Sequence, residues 1–391
     1  MLDLLTSGLV TILAFTAVIS VVVIIHELGH YIAGRWCGVH AEVFSMGFGP
    51  TLFAVRDKRG TLWRLAALPL GGYVRFMGDA GAASEPDQEK LDEIQARLGA
   101  DADRCFHFKP LWQRAIIVAA GPIANFVLAV LVFFALFATF GQSTQAPIVG
   151  SVRAESEAER AGLQVGDRIV RIAETQIEAF PEIMTEFMLR PDEDVAIRID
   201  RDGRMIDMTV TPRVTRVPDG LGGYRERAIV GFGPTGETYF RRLGPIESVG
   251  AAFAQVGRVV SLTGRYVWRI VTGRVPPNML NGPLGIVTVS GQVANASIDN
   301  AQSAGQAAGG LAINLIQLVA LFSIGLGLVN LLPIPILDGG HLVYYAYEAV
   351  AGRPLSAKAQ AIGFRVGLAL VLGLMLVATW NDLVYLGGLG S

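Results

Sequence analysis

Cysteine is nearly absent: the 391 residues hold two, Cys37 and Cys105, and no Cys-x-x-Cys pair. That excludes a disulfide-stapled scaffold and a thiolate zinc site. Histidine is scarce, with five positions (His26, His30, His40, His107 and His341), so an imidazole-dependent site has few residues to draw on. Charge is thin as well, 17% of residues against 52% hydrophobic, where a soluble domain carries about 25% and 45–50%. What charge exists is balanced, 32 Lys plus Arg to 34 Asp plus Glu. A nucleic-acid binder needs a basic stripe, so no nucleic-acid partner is expected. Low charge with a moderate apolar excess points instead to membrane spans combined with at least one soluble domain.

Four stretches read as membrane helices: Leu9–Ile25 running on to Trp36, Ala115–Phe140, Leu311–Leu337 broken by Pro333 and Pro335, and Ile362–Trp380. Each suits a hydrocarbon core of about 30 Å, which takes ~20 residues. The leader Met-Leu-Asp-Leu-Leu lacks the cationic start and the small-residue cleavage site of a signal peptide, so the first helix is expected to be retained. Flanking cations orient the spans. Arg35, Lys109, Arg114, Arg353, Lys358 and Arg365 border the segments 35–114 and 351–365, whereas the tails 1–8 and 381–391 carry Asp3 and Asp382 and no cation. The expectation is that 35–114 faces the cytosol, with both termini and the long segment 141–310 outside. All four lysines and both cysteines then fall inside. The 18 arginines of the exported segment do not oppose this, because long loops cross regardless of charge.

His26-Glu27-Leu28-Gly29-His30 lies within the first span. Positions i and i+4 share a helical face, so both imidazoles can address one Zn²⁺, with Glu27 beside them to take a proton from water. Surface histidines do not explain it, since 17 mostly apolar residues precede the motif. They rise about 26 Å, which puts it deep toward the cytosolic leaflet. Ionisable groups at that depth are costly unless paired or functional. Zinc hydrolases use three protein ligands and keep a fourth position open. The candidate third ligand is Asp338 in Asn330-Leu-Leu-Pro-Ile-Pro-Ile-Leu-Asp338-Gly-Gly-His341, a carboxylate in an apolar run. Two prolines break the helix there, and non-helical backbone at membrane depth needs protein or a water-filled cavity around it.

His-Glu-Leu-Gly-His in the first span, followed later by Asn-x-x-Pro-x-Pro-x-Leu-Asp-Gly-Gly, resembles the site-2 protease family of intramembrane zinc metalloproteases. The resemblance covers nearly the whole chain. Leu68-Pro-Leu-Gly-Gly-Tyr-Val-Arg-Phe-Met-Gly78 is similar to the family's membrane-associated β-segment, and Lys109-Pro-Leu-Trp-Gln-Arg114 with Gly121-Pro-Ile-Ala-Asn-Phe126 to the start of its second span. It implies His26, His30 and Asp338 as ligands of one Zn²⁺ per chain, Glu27 as catalytic base, and Asn330 as a residue contacting substrate backbone or stabilising the intermediate. It also implies a bacterial inner-membrane location and a stress-response setting. The substrate would be a single-pass membrane protein already shortened outside, such as an anti-sigma factor, or a remnant signal peptide.

Ala161-Gly-Leu-Gln-Val-Gly-Asp-Arg-Ile-Val170 is a PDZ strand signature, flanked by strand candidates Ile148–Val152 and Val195–Ile199, a hairpin turn at Asp202-Gly203, and a closing strand Met208–Thr211. Such a module adds a peptide as a strand, or it excludes bulky substrates by size; a peptide ligand is one expected partner. The signature occurs once, unlike tandem-PDZ members of the family. From Ile246 to Ile270 apolar residues recur at 3,4 spacing, an amphipathic helix that packs on this module or the spans, or lies on membrane lipid. Asn281–Ile286 reads as a turn back toward the membrane.

On the cytosolic side, Thr51–Arg56 and Thr61–Leu65 flank Asp57–Gly60 as a hairpin, with Leu68–Met77 a further strand. A strand edge beside the site could hold substrate extended and free its amide from helical bonding. Gly71, Gly72, Tyr73 and Val74 are the candidate contacts, with Asn330. A short helix is expected at 88–98. The fold class is a polytopic α-helical membrane protein with four transmembrane helices, a membrane-associated β-hairpin segment and an exported PDZ (α+β) domain. Its parts are residues 1–36, 37–114, 115–140, 141–214 (PDZ), 215–310 (linker, amphipathic helix and return loop), 311–350 and 351–391. Two rivals remain: a metal transporter, which predicts several intramembrane carboxylates and an inverted repeat, and an inert PDZ scaffold, which predicts a broken motif.

Overall fold

The computed structural model describes residues 2–79, 96, 99–218, 224–236, 238–273, 283–299 and 301–387. The helix expected at 88–98 lies outside them apart from residue 96. Two compact units form, one from 1–133 with 283–376, the other from 134–282 with 377–391.

Among the described residues four helices are long and apolar enough to cross a membrane: Ser7–Trp36, Leu111–Phe140, Ala304–Asn330 and Lys358–Val384. This is the architecture of a polytopic membrane protein. The first belongs to α1 (Leu2–Trp36), the second is α2 (Leu111–Phe140). The expected return loop is corrected in part: Pro283–Asp299 is a helix of 17 residues, packed on α1 and on the helix Ala304–Asn330. Its glycines, threonine and serines have weak helix propensity, so packing rather than sequence sets its conformation. Asn295 Nδ2 donates to Ser7 O and Thr11 Oγ1 at 3.4 Å, and Asn314 Nδ2 to Ser297 Oγ at 2.8 Å. Amide and hydroxyl groups are thereby satisfied between helices.

The segment after α1 is more folded than a hairpin with one added strand. Strands β1 (Ala41–Arg56) and β2 (Leu62–Phe76) pair antiparallel and double back. Val43–Met46 pairs with Gly72–Arg75 on one side and with Leu62–Leu65 on the other, while Leu62–Ala66 also pairs with Thr51–Arg56. Phe44, Trp63 and Tyr31 join this sheet to α1, with ring centroids 4.6–5.7 Å apart. The outer part stays apolar and exposed at Phe48, Leu52, Phe53, Val55, Leu65 and Leu68.

In the second unit a four-stranded antiparallel sheet runs in the order Thr175–Gln176, Arg168–Ile172, Val195–Arg201, Arg204–Val210. Asp202 and Gly203 both have positive φ, 52° and 82°, in the turn that joins the last two strands, as a two-residue hairpin with this twist requires. Helix α3 (Phe180–Met188) packs on a core of Val149, Ile169, Ile183, Phe187, Ile197, Ile199 and Val230. Val230 carries a correction: this core does not close at 214. Strand Phe232–Pro234 pairs with Val149–Val152 in a separate two-stranded sheet, so the core takes in chain from beyond the arginine-rich stretch.

The amphipathic helix is present as α4 (Pro245–Val271). Its apolar stripe is not a buried face, for Ile246, Val249, Phe253 and Val267 are exposed while Ala252 and Val256 are buried. The helix is tied down by its cations instead. Arg258 bonds Glu182 and Arg265 bonds Glu186, each at 2.8 Å, and Arg269 pairs with Glu193.

Candidate metal centre

The His-Glu-x-x-His run keeps helical geometry in the last turns of α1, which sets His26 and His30 on one face with ring centroids 4.8 Å apart. Opposite them the chain leaves the helix Ala304–Asn330, turns tightly through 331–337 and re-enters a helix, α5 (Asp338–Ala351). Pro333 and Pro335 cannot donate backbone hydrogen bonds, so the break falls where the sequence placed it. Asp338 opens the new helix, where the N-terminal dipole favours a carboxylate. The turn closes only because residues 339 and 340 lack side chains. A Cβ on Gly339 would overlap the carbonyls of Leu331 and Leu332, and one on Gly340 the Ile334 carbonyl.

Three ligand atoms thereby converge. His26 Nε2 lies 3.2 Å from Asp338 Oδ2 and 3.2 Å from His30 Nε2, and His30 Nε2 is 3.5 Å from the same oxygen. Asp338 Oδ2 is nonetheless buried without a hydrogen bond, so hydrogen bonding to the carboxylate does not account for the closeness of the three atoms. They surround a common point. Zinc bonds of 2.0–2.1 Å in tetrahedral array put neighbouring ligand atoms about 3.3 Å apart, which matches all three separations. The donor set, two imidazoles and a carboxylate, also suits zinc. Among the described residues these three are the group of His, Cys, Asp or Glu able to hold a metal ion. His107 bonds Asp79 at 2.9 Å, and the ring of His341 lies edge-on to Tyr344. Both cysteines are free thiols.

Around the three atoms each remaining candidate has a distinct place. Glu27 Oε2 accepts the Val74 N–H at 3.0 Å, so this N–H faces α1 rather than the paired strand. Gly72 comes as near: a Cβ there would lie 3.4 Å from Glu27 Cγ and 2.7 Å from Ser45 O. Gly71 has φ +129°, a region that favours glycine, beside the Phe48 ring. Tyr73 does not join the site with its side chain, which stacks on Phe48 with centroids 6.1 Å apart. Asn330 ends its helix with Nδ2 3.4 Å from His26 Nε2.

Helix α2 adds partners that sequence reading did not assign. His30 Nδ1 donates to the Ile117 carbonyl at 2.9 Å, which leaves its Nε2 lone pair for a metal. Gly121 touches both imidazoles; a Cβ there would overlap His30 Nε2 and sit 2.8 Å from His26 Cε1. Asn125, fully buried, places its amide 3.2 Å from His26 Nδ1. The one signal in the sequence was that Asn125 is the sole amide of an apolar span.

Two imidazoles and a carboxylate around one point, beside a glutamate on a helix long and apolar enough to cross a membrane, match the ligand set of a metal-dependent hydrolase. The Peptidase family M50 profile matches residues 14–374. Metalloprotease MmpA of Caulobacter vibrioides is 44% identical over 380 residues, 96% of each chain. Proteins named as zinc metalloproteases in Agrobacterium fabrum and Rhizobium meliloti are 41% and 40% identical, over 96% and 97% of each chain. The chain belongs to Peptidase family M50, the site-2 proteases, and is a zinc metalloprotease. The transporter and inert-scaffold readings fall with that membership.

Proposed function

We propose that the protein hydrolyses a peptide bond within the membrane-spanning segment of single-pass membrane proteins, with one zinc ion held by His26, His30 and Asp338. The convergence of these three side chains beside Glu27, with both imidazoles on a helix long and apolar enough for a bilayer, carries the reading. Bound there, zinc supplies the Lewis acidity that makes water a nucleophile near neutral pH. Glu27 takes the proton of the attacking water and returns it to the leaving amine nitrogen. The Val74 N–H fixes one oxygen of Glu27 in position for this. Asn330 directs its amide toward the same point and stabilises charge on the substrate carbonyl oxygen.

Substrate is held as an extended strand on the edge formed by Gly71, Gly72, Tyr73 and Val74. Helical substrate hides its scissile amide in i→i−4 hydrogen bonds, and pairing with a strand edge frees it. The exposed apolar side chains of the folded-back sheet contact lipid, as does the exposed stripe of α4. The membrane is a bacterial inner membrane, with 35–114 cytosolic and both termini and the β-rich unit outside. Anti-sigma factors or remnant signal peptides are the substrates this arrangement suits, in regulated intramembrane proteolysis under stress. The β-rich unit is a PDZ module. A groove of about 330 Å³ lined by Val152, Met184, Phe187, Val230 and Phe232, between a short strand and α3, supports a peptide ligand.

The test uses purified protein and a single-span reporter, with and without a zinc chelator. Glu27→Gln is expected to retain zinc and lose cleavage, and His26→Ala to lose both. Cleavage by Glu27→Gln at the wild-type rate would refute the assignment.

A further inference from the structure

Gly121-Pro-Ile-Ala-Asn-Phe126 enters none of the steps above, yet α2 lays one face against both imidazoles. Residues 117, 121 and 125 recur every four positions and share that face. The Ile117 carbonyl takes His30 Nδ1–H, Gly121 supplies the space, and Asn125 meets His26 Nδ1. From this geometry we infer that Asn125 is a positioning residue for the metal: its side-chain oxygen accepts Nδ1–H of His26 and so fixes the tautomer whose Nε2 lone pair faces Asp338 and His30. The inference rests on zinc binding by His26, His30 and Asp338.

Neutral imidazole carries one N–H; when Nε2 bonds a metal, the proton must sit on Nδ1. Asn125 presents an amide edge to Nδ1 at 3.2 Å. An amide nitrogen facing Nδ1 would demand the proton on Nε2, at the point where the three ligand atoms converge. The amide oxygen has no hydrogen-bond partner when the nitrogen occupies that edge, although it is buried. The two ends of an amide have the same shape, and the hydrogen-bond network decides which faces which. Metal ligation through Nε2 decides for oxygen. The backbone around Asn125 is itself held, since Ser323 Oγ donates to the Asn125 carbonyl at 3.0 Å in a buried contact. One helix therefore sets both imidazoles, His30 through a backbone carbonyl and His26 through a side-chain amide. Partners in this position commonly govern metal affinity 10–100-fold.

The experiment measures the zinc dissociation constant of the full-length protein in detergent by competition with a chromogenic chelator. Asn125→Leu keeps the volume but removes the acceptor, and is expected to weaken zinc 10–100-fold. Asn125→Asp retains an acceptor and is expected to stay within about threefold of wild type. Wild-type affinity in Asn125→Leu, or equal losses in both variants, would overturn the inference. His26→Ala is the separating control. If it retains wild-type zinc affinity, the ligand assignment itself has failed; if it loses zinc while Asn125→Leu does not, the role of Asn125 alone has failed. Nitrogen-15 NMR of the histidines in zinc-loaded wild type needs no variant to fold. Two metal-bound Nε2 atoms with protonated Nδ1 partners are expected, and a Nδ1-bound His26 would contradict the proposal.

Discussion

Substituting a single hydrogen at Gly121 should dismantle the metal centre while leaving the fold in place. A Cβ on residue 121 would lie 2.8 Å from His26 Cε1 and overlap His30 Nε2. Carbon atoms in contact settle at about 3.5–4.0 Å, so helix and rings must separate by roughly 1 Å. His30 cannot swing aside cheaply, because its Nδ1 is bonded to the Ile117 carbonyl at 2.9 Å. Metal–ligand distances tolerate about ±0.2 Å, so a displacement of that size breaks the coordination geometry. Overpacking by one methyl costs about 1–3 kcal/mol of stability, which a folded membrane protein survives. Gly121→Ala is therefore expected to purify as a folded protein with zinc affinity lowered at least about 100-fold, beyond the usual range for ligand-supporting partners. Gly325→Ala serves as control, because nothing lies within 4 Å of the added carbon. Zinc content by mass spectrometry, chelator competition and thermal unfolding read the outcome. Wild-type zinc affinity in Gly121→Ala would refute the packing argument.

Other parts of the chain yield expectations of their own. Burial opposes the charged form of Asp57, but hydrogen bonds from Trp63 Nε1 and from the Thr61 and Arg59 N–H groups outweigh it and hold the carboxyl below its ordinary value. A lowered folded-state pKa means the stabilisation is complete above the unfolded value near ~4 and fades as pH falls below it. The Tm gap between wild type and Asp57→Asn should thus be present at neutral pH and close on acidification; a gap independent of pH would count against it. Arg114 bonds Glu348 at 2.6 Å and stacks over Tyr345 at 5.0 Å, so Arg114→Ala should cost about 1–3 kcal/mol in chemical unfolding, and no change would show the pair to be idle. Ile183 is wholly buried in the β-rich unit; Ile183→Ala should destabilise that unit by about 2–5 kcal/mol, read by proteolysis of the segment 141–273.

Much of the membrane architecture was legible because hydrocarbon enforces it. Uninterrupted apolar runs mark the four long helices, and a carboxylate between prolines and glycines marks the break at Asp338. His26 and His30 were legible as a pair from i,i+4 spacing alone. Pairings that depend on distant chain were not. Val43–Met46 pairs with two stretches of β2, and nothing local in Leu62–Leu65 says that it will double back. Phe232–Pro234 completes the core begun at Val149 across a stretch whose arginines disguise it. The helix Pro283–Asp299 lacks a strong periodic stripe and forms against its neighbours. Gly121 and Asn125 stood out only as part of a span-opening segment and as a lone amide, with no role assigned, since their importance lies in what a second helix places opposite them. The α4 periodicity announced the helix but not its attachment: most of the large apolar side chains on the stripe stay exposed, and arginine–glutamate pairs join the helix to the β-rich unit.

The most direct test of the metal centre is zinc K-edge absorption spectroscopy on the purified, active protein. The account predicts one zinc per chain with two imidazole nitrogens at about 2.0–2.1 Å, oxygen ligands at about 2.0–2.2 Å and no sulfur, and loss of that signature in His26→Ala. A sulfur shell near ~2.3 Å, or an unchanged spectrum in Asp338→Ala, would contradict it.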